Sequence, residues 1–161
     1  MPPRAVLSVV HQSDSSEPEI SVDYEGLPPL LPDGIYEARY LGHATAYVFS
    51  TPKVFLRFEI IQPGDHFGAK LFAAYRVKAL VGKAGPNGRL KVSRGGELLR
   101  MLSRVFEIKT RPDRISLVDL RACVLRVQVR TVTQDYRQRE LPTWRRYSKV
   151  SDVIEKETGY S

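Results

Sequence analysis

Aromatic and cationic side chains share one face of two consecutive segments with strand-like alternation, residues 53–61 and 69–78. An aromatic ring offers a stacking surface to any base, and neighbouring cations follow the phosphates of a single strand. This combination predicts a surface that binds single-stranded nucleic acid without strong sequence preference. The alternative is that the rings belong to the core of a sheet covered on both faces. The predicted outward set is Phe55, Arg57, Lys70, Phe72, Arg76 and Lys78.

A second concentration of arginine and large aromatic residues lies in the segment 126–146. Arginine can pair with a phosphate through two parallel N–H groups and can also stack on bases. We therefore predict that this hairpin extends the nucleic-acid surface. The alternative is a solvated hairpin in which Trp144 packs on the rim of the fold. The predicted set is Arg126, Arg130, Tyr136, Arg137, Arg139, Trp144, Arg145 and Arg146.

The positive charge of the chain is concentrated in its second half. The net charge is +7, yet residues 76–149 hold 19 Lys and Arg against 6 Asp and Glu, and both flanking segments are mildly acidic. A basic block of this kind is the electrostatic footprint expected for a polyanionic partner, of which nucleic acid is the commonest. A solvated basic surface would have the same composition.

Signals for catalysis or for a bound metal are weak. The three histidines are scattered, and a single cysteine can form neither an intramolecular disulfide nor a structural zinc site. Cys123 falls on the inward face of a predicted strand, which argues against a nucleophile. The segment 82–88 is predicted to be a glycine-rich loop, but it lacks the Gly-Lys-Ser/Thr ending of a phosphate-binding loop. We therefore expect a non-catalytic protein with no cofactor and no metal.

The chain of 161 residues is long enough for one domain. We divide it into an N-terminal arm or linker at 1–33, a folded domain at 34–150 and a C-terminal tail at 151–161 that includes a short helix. No run of about 18 apolar residues is present, so we expect no membrane span. The lack of a secretory signal and the single cysteine predict a cytoplasmic location. The oligomeric state is left open, and a homo-oligomer is compatible with the sequence.

Hydrophobic alternation predicts five strands, at 35–47, 53–61, 69–78, 121–133 and 145–150, and a helix at 97–108. Gly42 within the long first strand indicates a bulge or a bend. This order of elements fits a mainly β, five-stranded, OB-like Greek-key barrel with one α-helix between strands three and four. A helix packed on an open antiparallel sheet has the same order. We favour the barrel because a bent first strand can serve both halves of a closing sheet.

Short motifs in the first three strands carry a resemblance to a known group of proteins. They are Gly-Ile-Tyr-Glu-Ala at 34–38, Phe-Glu-Ile at 58–60, Gly64, and Gly-Ala-Lys-Leu-Phe at 68–72. Their spacing resembles that of small OB-fold single-stranded DNA-binding proteins of phages and other bacterial mobile elements. The segment 155–161 lacks the acidic tail, closing in Pro-Phe, through which many bacterial proteins of this kind recruit partners.

The resemblance implies sequence-tolerant binding of single-stranded DNA during replication, recombination or transfer. RNA would satisfy the same stacking and phosphate contacts. An alternative is an OB-like protein–protein interaction or assembly module that does not bind nucleic acid, because protein interfaces are also enriched in Tyr, Trp and Arg. Five acidic residues lie between positions 14 and 25. We expect this acidic arm to compete with DNA for the basic surface.

Overall fold

The computed structural model of the protein describes residues 29–106 and 117–157. Most of the predicted N-terminal arm and the last four residues of the predicted tail lie outside these ranges. The elements, in chain order, are β1 (Gly34–Val48), β2 (Thr51–Ile60), β3 (Lys70–Arg76), β4 (Ala79–Val81), β5 (Gly85–Pro86), β6 (Arg89–Lys91), α1 (Glu97–Val105), β7 (Val124–Val132) and β8 (Tyr147–Lys156), with short 3₁₀ turns at Leu117–Ala122 and Thr143–Arg145.

Five long strands form one antiparallel sheet in the order β3-β2-β1-β7-β8. The short β5 pairs with β1, and β4 pairs with β6 in a separate two-stranded ribbon. The mainly β class with a helix between the third and fourth long strands is thus confirmed. In the described part of the chain, no backbone ladder joins the edge strands β3 and β8.

The first strand bends at Gly42, as its position in the sequence predicted. The β1–β2 register shifts between Tyr40 and Gly42, which marks a β-bulge. On the N-terminal side of the bulge, β1 pairs with both β2 and β7, whereas on the C-terminal side its long-strand partner is β2 alone. The bend therefore allows one strand to pair with both halves of the sheet.

The inner face of the sheet and one stripe of α1 make the hydrophobic core. The predicted inward residues of β2, Val54, Leu56, Phe58 and Ile60, are all fully buried. Complete burial of each large apolar side chain stabilises the folded state by about 1.5–3 kcal/mol. Because successive side chains of a strand point to opposite faces, the other residues of β2 lie on the outer face of the sheet, which carries the candidate binding residues.

Helix α1 covers the core side of β3 and β8. Its buried residues, Leu98, Met101, Leu102 and Val105, follow the 3–4 residue spacing of one helix face. The helix begins at Glu97 as predicted and ends at Val105, before the predicted end at residue 108. Residues 107 and 108 lie outside the described ranges.

The C-terminal strand is longer than predicted. A strand was expected to end at residue 150 and to be followed by a short helix, but β8 continues to Lys156. The pairing of β7 with β8 is irregular: Val129 faces Val150, whereas Val127 faces Val153. This bulge breaks the two-residue period of buried positions, and the break is what hid the second half of the strand.

Two other boundaries differ from prediction. The 3₁₀ turn Leu117–Ala122 replaces the first residues of the strand expected from 121, and β7 begins at Val124. The glycine-rich segment expected as a loop contains β5 and leads into β6. Among the helices of the described residues, none is long and apolar enough to cross a membrane.

Candidate nucleic-acid interface

Five residues on the outer faces of β2 and β3 form a surface that we call the platform. Register places Arg57 opposite Phe72 and Lys53 opposite Arg76. Phe55 lies between the two pairs on β2 and faces Ala74. The sheet thus brings together residues 15 to 23 positions apart in the chain, on the face that the alternation predicted. The platform is Lys53, Phe55, Arg57, Phe72 and Arg76.

Phe72 corrects the prediction of two exposed stacking rings. It lies outside the main core, yet only 8% of its surface is exposed. The ring of Phe55 lies 5.9 Å from it and the ring of Tyr147 stacks on it at 6.0 Å, centroid to centroid. Phe72 is therefore a buried member of the platform that packs against Phe55, and Phe55, which is partly exposed, is the platform ring that can meet a base.

Two arginines meet over Gly42 at one end of the platform. A Cβ placed on Gly42 would lie 3.3 Å from an Nη2 of Arg57 and 3.4 Å from that of Arg121. Arg121 also donates from Nη2 to the carbonyl oxygen of Leu41 at 2.9 Å. Both side chains are exposed, and neither makes an ion pair with a described residue. Two guanidinium groups at one glycine form a ready site for an anion.

Arg121 is not among the residues that the sequence predicts for the site. Alternation predicts it on a strand, whereas it belongs to the 3₁₀ turn that precedes β7. Nothing in its local sequence points to Gly42, 79 positions earlier, so the approach depends on tertiary structure alone. The glycine offered the only signal, because a bulge without a side chain leaves room for a neighbouring group to approach the backbone.

At the other end of the platform, Lys53 and Arg76 face each other across β2 and β3. Like charges directly opposite on neighbouring strands repel each other. No described acidic residue forms an ion pair with either one. The acidic residue of this face, Glu59, is instead held by Arg39 at 2.6 Å, although Lys70 is its register partner. The three platform cations, Lys53, Arg57 and Arg76, thus form no ion pair with a described acidic residue.

The connection between β7 and β8 is an ordered loop. Asp135 accepts hydrogen bonds from the backbone N–H groups of Arg137 and Arg139 and from Nε of Arg139. These bonds, that of the Arg139 backbone first, lower the pKa of the Asp135 carboxyl. The loop therefore presents its side chains from a fixed turn.

Tyr136 at the tip of this loop contacts the β1–β2 hairpin. Its ring lies 5.1 Å from that of Phe49, and the guanidinium carbon of Arg137 lies 5.3 Å from the Tyr136 ring centroid. Both rings are more than half exposed. The loop and the hairpin thus form one aromatic and cationic rim.

Trp144 is 79% exposed, so the alternative in which it packs on the rim of the fold is wrong. Its only described ring contact is with Arg145, whose guanidinium carbon lies 6.0 Å from the indole centroid. An exposed indole with an arginine beside it can stack on a base without losing packing energy. Arg145 forms no ion pair with a described residue.

Three predicted phosphate contacts are already neutralised by acids. Arg126 pairs with Glu155 at 3.1 Å, Arg139 with Asp135 at 3.1 Å, and Arg146 with Glu140 at 2.8 Å. Exposed ion pairs are worth little, so these arginines can exchange partners. Their contribution to attracting a polyanion is nevertheless smaller than that of a free cation.

Two further predicted cations lie at the margins. Arg130 is exposed on β7 opposite Lys149 of β8, a second cross-strand pair of like charge. Lys78 was expected on the third strand, but β3 ends at Arg76. The Lys78 backbone N–H instead donates to the carbonyl oxygen of Lys91 beside the β4–β6 ribbon.

Two side chains of a type often found in catalytic sites, His43 and Cys123, contact backbone carbonyl groups. His43 donates a hydrogen bond from Nε2 to the carbonyl oxygen of Gly88 at 2.8 Å and accepts one at Nδ1 from the Tyr40 hydroxyl at 3.2 Å. Cys123 is partly buried, with its sulfur 3.9 Å from the carbonyl oxygen of Asp119. Within residues 29–106 and 117–157, no three His, Cys, Asp or Glu side chains cluster to hold a metal.

Comparison of the chain with protein-family models, with curated proteins and with solved structures gives no match.

Proposed function

We propose that the protein binds single-stranded nucleic acid, in the first place DNA, on the platform and on the rim formed by the β1–β2 hairpin and the β7–β8 loop. The observation that carries this proposal is the position of Phe55. Its partly exposed ring lies between two cation pairs, Arg57 with Arg121 and Lys53 with Arg76. The Cα atoms of Lys53 and Arg57 are about 13 Å apart along β2, since the two residues are four positions apart on an extended strand.

This arrangement supplies the two interactions that single-strand binding needs. A base stacked on Phe55 gains about 1–3 kcal/mol, whatever its identity. The phosphates on either side would then meet the two cation pairs. Tyr136 and Trp144, both exposed, offer further rings, and Arg137 and Arg145 lie beside them.

We also propose that the sheet is a partly open barrel of the OB type. Three features support this: the strand order, the bent β1 that pairs with both β2 and β7, and the approach of β3 to β8 through Phe72 and Tyr147. In such barrels the exposed face of the second and third strands binds ligands between two flanking loops. The platform and the rim occupy the corresponding positions here.

The test is fluorescence anisotropy of a labelled dT oligonucleotide of about 30 nucleotides, long enough for an OB-type site. Affinity should fall steeply with salt, because each neutralised phosphate releases counterions. Phe55→Ala should weaken binding, whereas Phe67→Ala should leave it unchanged. Phe67 is a matched control because it is 65% exposed on the β2–β3 turn, at the far end of β2 from Lys53.

Salt-insensitive binding, or full competition by duplex DNA, would contradict the proposal. An oligo-U probe of the same length distinguishes DNA from RNA. The residues at 34–38 and 68–72 that resemble mobile-element proteins make replication, recombination or transfer the proposed setting. The competing acidic arm, residues 14–25, lies outside the described residues and remains a hypothesis, to be tested by deleting residues 1–26.

A second candidate function is a protein-interaction module. The observation that favours it is the exposure of Tyr47, Phe49, Tyr136 and Trp144, each more than half exposed. Protein interfaces are enriched in Tyr, Trp and Arg, so this rim also suits a protein partner. The absence of oligonucleotide binding at micromolar protein, together with capture of a defined partner that Trp144→Ala abolishes, would support this function.

A further inference from the structure

A cleft runs beside the platform, between β3, β8 and the first turn of α1. It consists of two cavities of about 480 and about 200 Å³, and both are lined by Glu97 and Arg100. The larger cavity also reaches Lys53 and Arg76 of the platform. The cleft is therefore continuous with the end of the platform that carries this pair of cations.

The larger cavity is lined by three cations, Lys53, Arg76 and Arg100. Within the described ranges, none of the three makes an ion pair. Lys53 and Arg76 are direct register partners, an arrangement that costs stability in the absence of a counterion. An anion bound between them would remove this repulsion.

The acidic residues of the cleft leave it with excess positive charge. Asp152, in the smaller cavity, is held by the guanidinium of Arg104. Glu97 is the one carboxylate that faces the three unpaired cations, and it makes no ion pair with a described residue. The balance of the cleft therefore favours an anion, and Glu97 moderates the attraction.

A buried hydroxyl in the same cleft lacks a hydrogen-bond partner. Tyr75 is 5% exposed and lines the smaller cavity, and its Oη has no partner among the described residues. Unpaired buried hydroxyls are costly and rare in native structures. Burial raises the pKa of Tyr75 and the nearby Asp152 raises it further, so this phenol belongs to the acidic side of the cleft and not to the cavity lined by the three cations.

We propose that the larger cavity of this cleft binds a phosphate group, with Lys53, Arg76 and Arg100 as its cations. No side chain caps α1 at Gly96. The backbone N–H groups of the first helical turn therefore add to the positive electrostatic potential of the three cations. If the proposed function holds, the phosphate belongs to the DNA strand as it leaves the platform past Lys53. The chemistry that the cleft recognises, a phosphate oxyanion, is the same for a free phosphorylated molecule.

The first experiment titrates the full chain with inorganic pyrophosphate and follows backbone amide shifts by NMR. Saturable shifts at Gly96, Glu97 and Arg100 are expected. Arg100→Ala should reduce them, and Arg89→Ala, which removes an exposed cation from β6, should leave them unchanged.

The second experiment measures dT oligonucleotide affinity for the same variants. Arg100→Ala should raise Kd about 3- to 10-fold and reduce the salt slope by about one phosphate. Glu97→Gln should lower Kd, because it removes the carboxylate that opposes the anion, and a purely structural role for the cleft would not produce that gain. Both residues are exposed, so the variants should fold, and melting curves check this.

The outcomes separate this inference from the proposed function. If the oligonucleotide binds and neither Arg100→Ala nor Glu97→Gln changes its affinity, the cleft lies off the DNA path and the inference is overturned while the function stands. If pyrophosphate shifts the cleft amides but no oligonucleotide binds, the proposed function fails and the phosphate site remains. If neither ligand binds, both are wrong.

Discussion

The ring of Phe72 on β3 stacks on the ring of Tyr147 on β8, with centroids 6.0 Å apart and planes 25° from parallel. These residues belong to the two edge strands of the sheet, which share no backbone ladder among the described residues. The stacked pair therefore holds together two edges that would otherwise be open to pairing with another chain. The pair also supports the position of the Phe55 ring, whose centroid lies 5.9 Å from that of Phe72.

Phe72→Ala should mainly lower stability. Removing a buried phenyl ring costs about 3–5 kcal/mol of unfolding free energy, through lost burial and the cavity left behind. Phe55→Ala, at a partly exposed position, should lower the free energy of unfolding by only about 1 kcal/mol. It should nevertheless weaken oligonucleotide binding more than Phe72→Ala does. Urea unfolding and anisotropy on both variants check this separation. If Phe72→Ala left stability unchanged and abolished binding, Phe72 would be a contact rather than a support.

Local pattern was enough to predict much of the scaffold. The buried residues of β2 repeat every two positions and those of α1 every three or four, so the periodicity of each segment predicts its secondary structure. The bulge at Gly42 was also predictable, because a glycine within an alternating strand has few other roles. The second half of β8 was missed because its bulge breaks the same period.

The site was predictable only as far as it lies on single strands. Alternation placed Phe55, Arg57 and Arg76 on one face, which the β2–β3 register bears out. The burial of Phe72 depends on Tyr147, 75 positions later in the chain, and the approach of Arg121 to Gly42 depends on a turn 79 positions away. Such contacts arise from how strands assemble, and no local pattern contains them.

Gly88→Ala should destabilise the fold, because an added Cβ would lie 2.0 Å from Oγ1 of Thr45. Thr45 is 3% exposed, and its Oγ1 accepts a hydrogen bond from the backbone N–H of Gly85, so it has little room to move. Overpacking of this kind costs about 1–3 kcal/mol. Gly95→Ala, with no atom within 4 Å, is the matched control and should change stability by less than about 0.5 kcal/mol. Equal melting temperatures for the two variants would contradict the packing at Gly88.

Stability should fall as pH rises from 10 to 12, in part because of Tyr40. Burial raises its pKa from 10.0 to about 12, and the nearby Arg121 and Arg57 act in the opposite direction. The unfolded chain therefore loses this proton at lower pH than the folded one, which favours unfolding across that interval. Tyr40→Phe should lose less stability than the native chain between pH 9 and 11.5, measured by urea unfolding. Because burial also raises the pKa of Tyr75, part of the fall should persist in this variant.

Gly42→Ala should weaken nucleic-acid binding and also destabilise the fold, because φ at Gly42 is +156°, a conformation that alanine adopts only with strain. The new methyl group would lie 3.3 and 3.4 Å from the Nη2 atoms of Arg57 and Arg121, so both guanidinium groups must move away from the backbone. These are the ends of flexible side chains, so they can shift by the few tenths of an ångström that the methyl group requires at little cost in packing, but the shift disturbs the geometry of the anion site. We expect Kd for a dT oligonucleotide to rise about 3- to 10-fold, with a smaller salt slope because one phosphate is held less well. Gly34→Ala is the control, since its added methyl would meet only Tyr36 at 3.8 Å, an ordinary contact. If both variants bound like the native chain, the two arginines would not form a phosphate site. A loss confined to Gly42→Ala, in a variant that melting curves show to be folded, would place that site at the bulge.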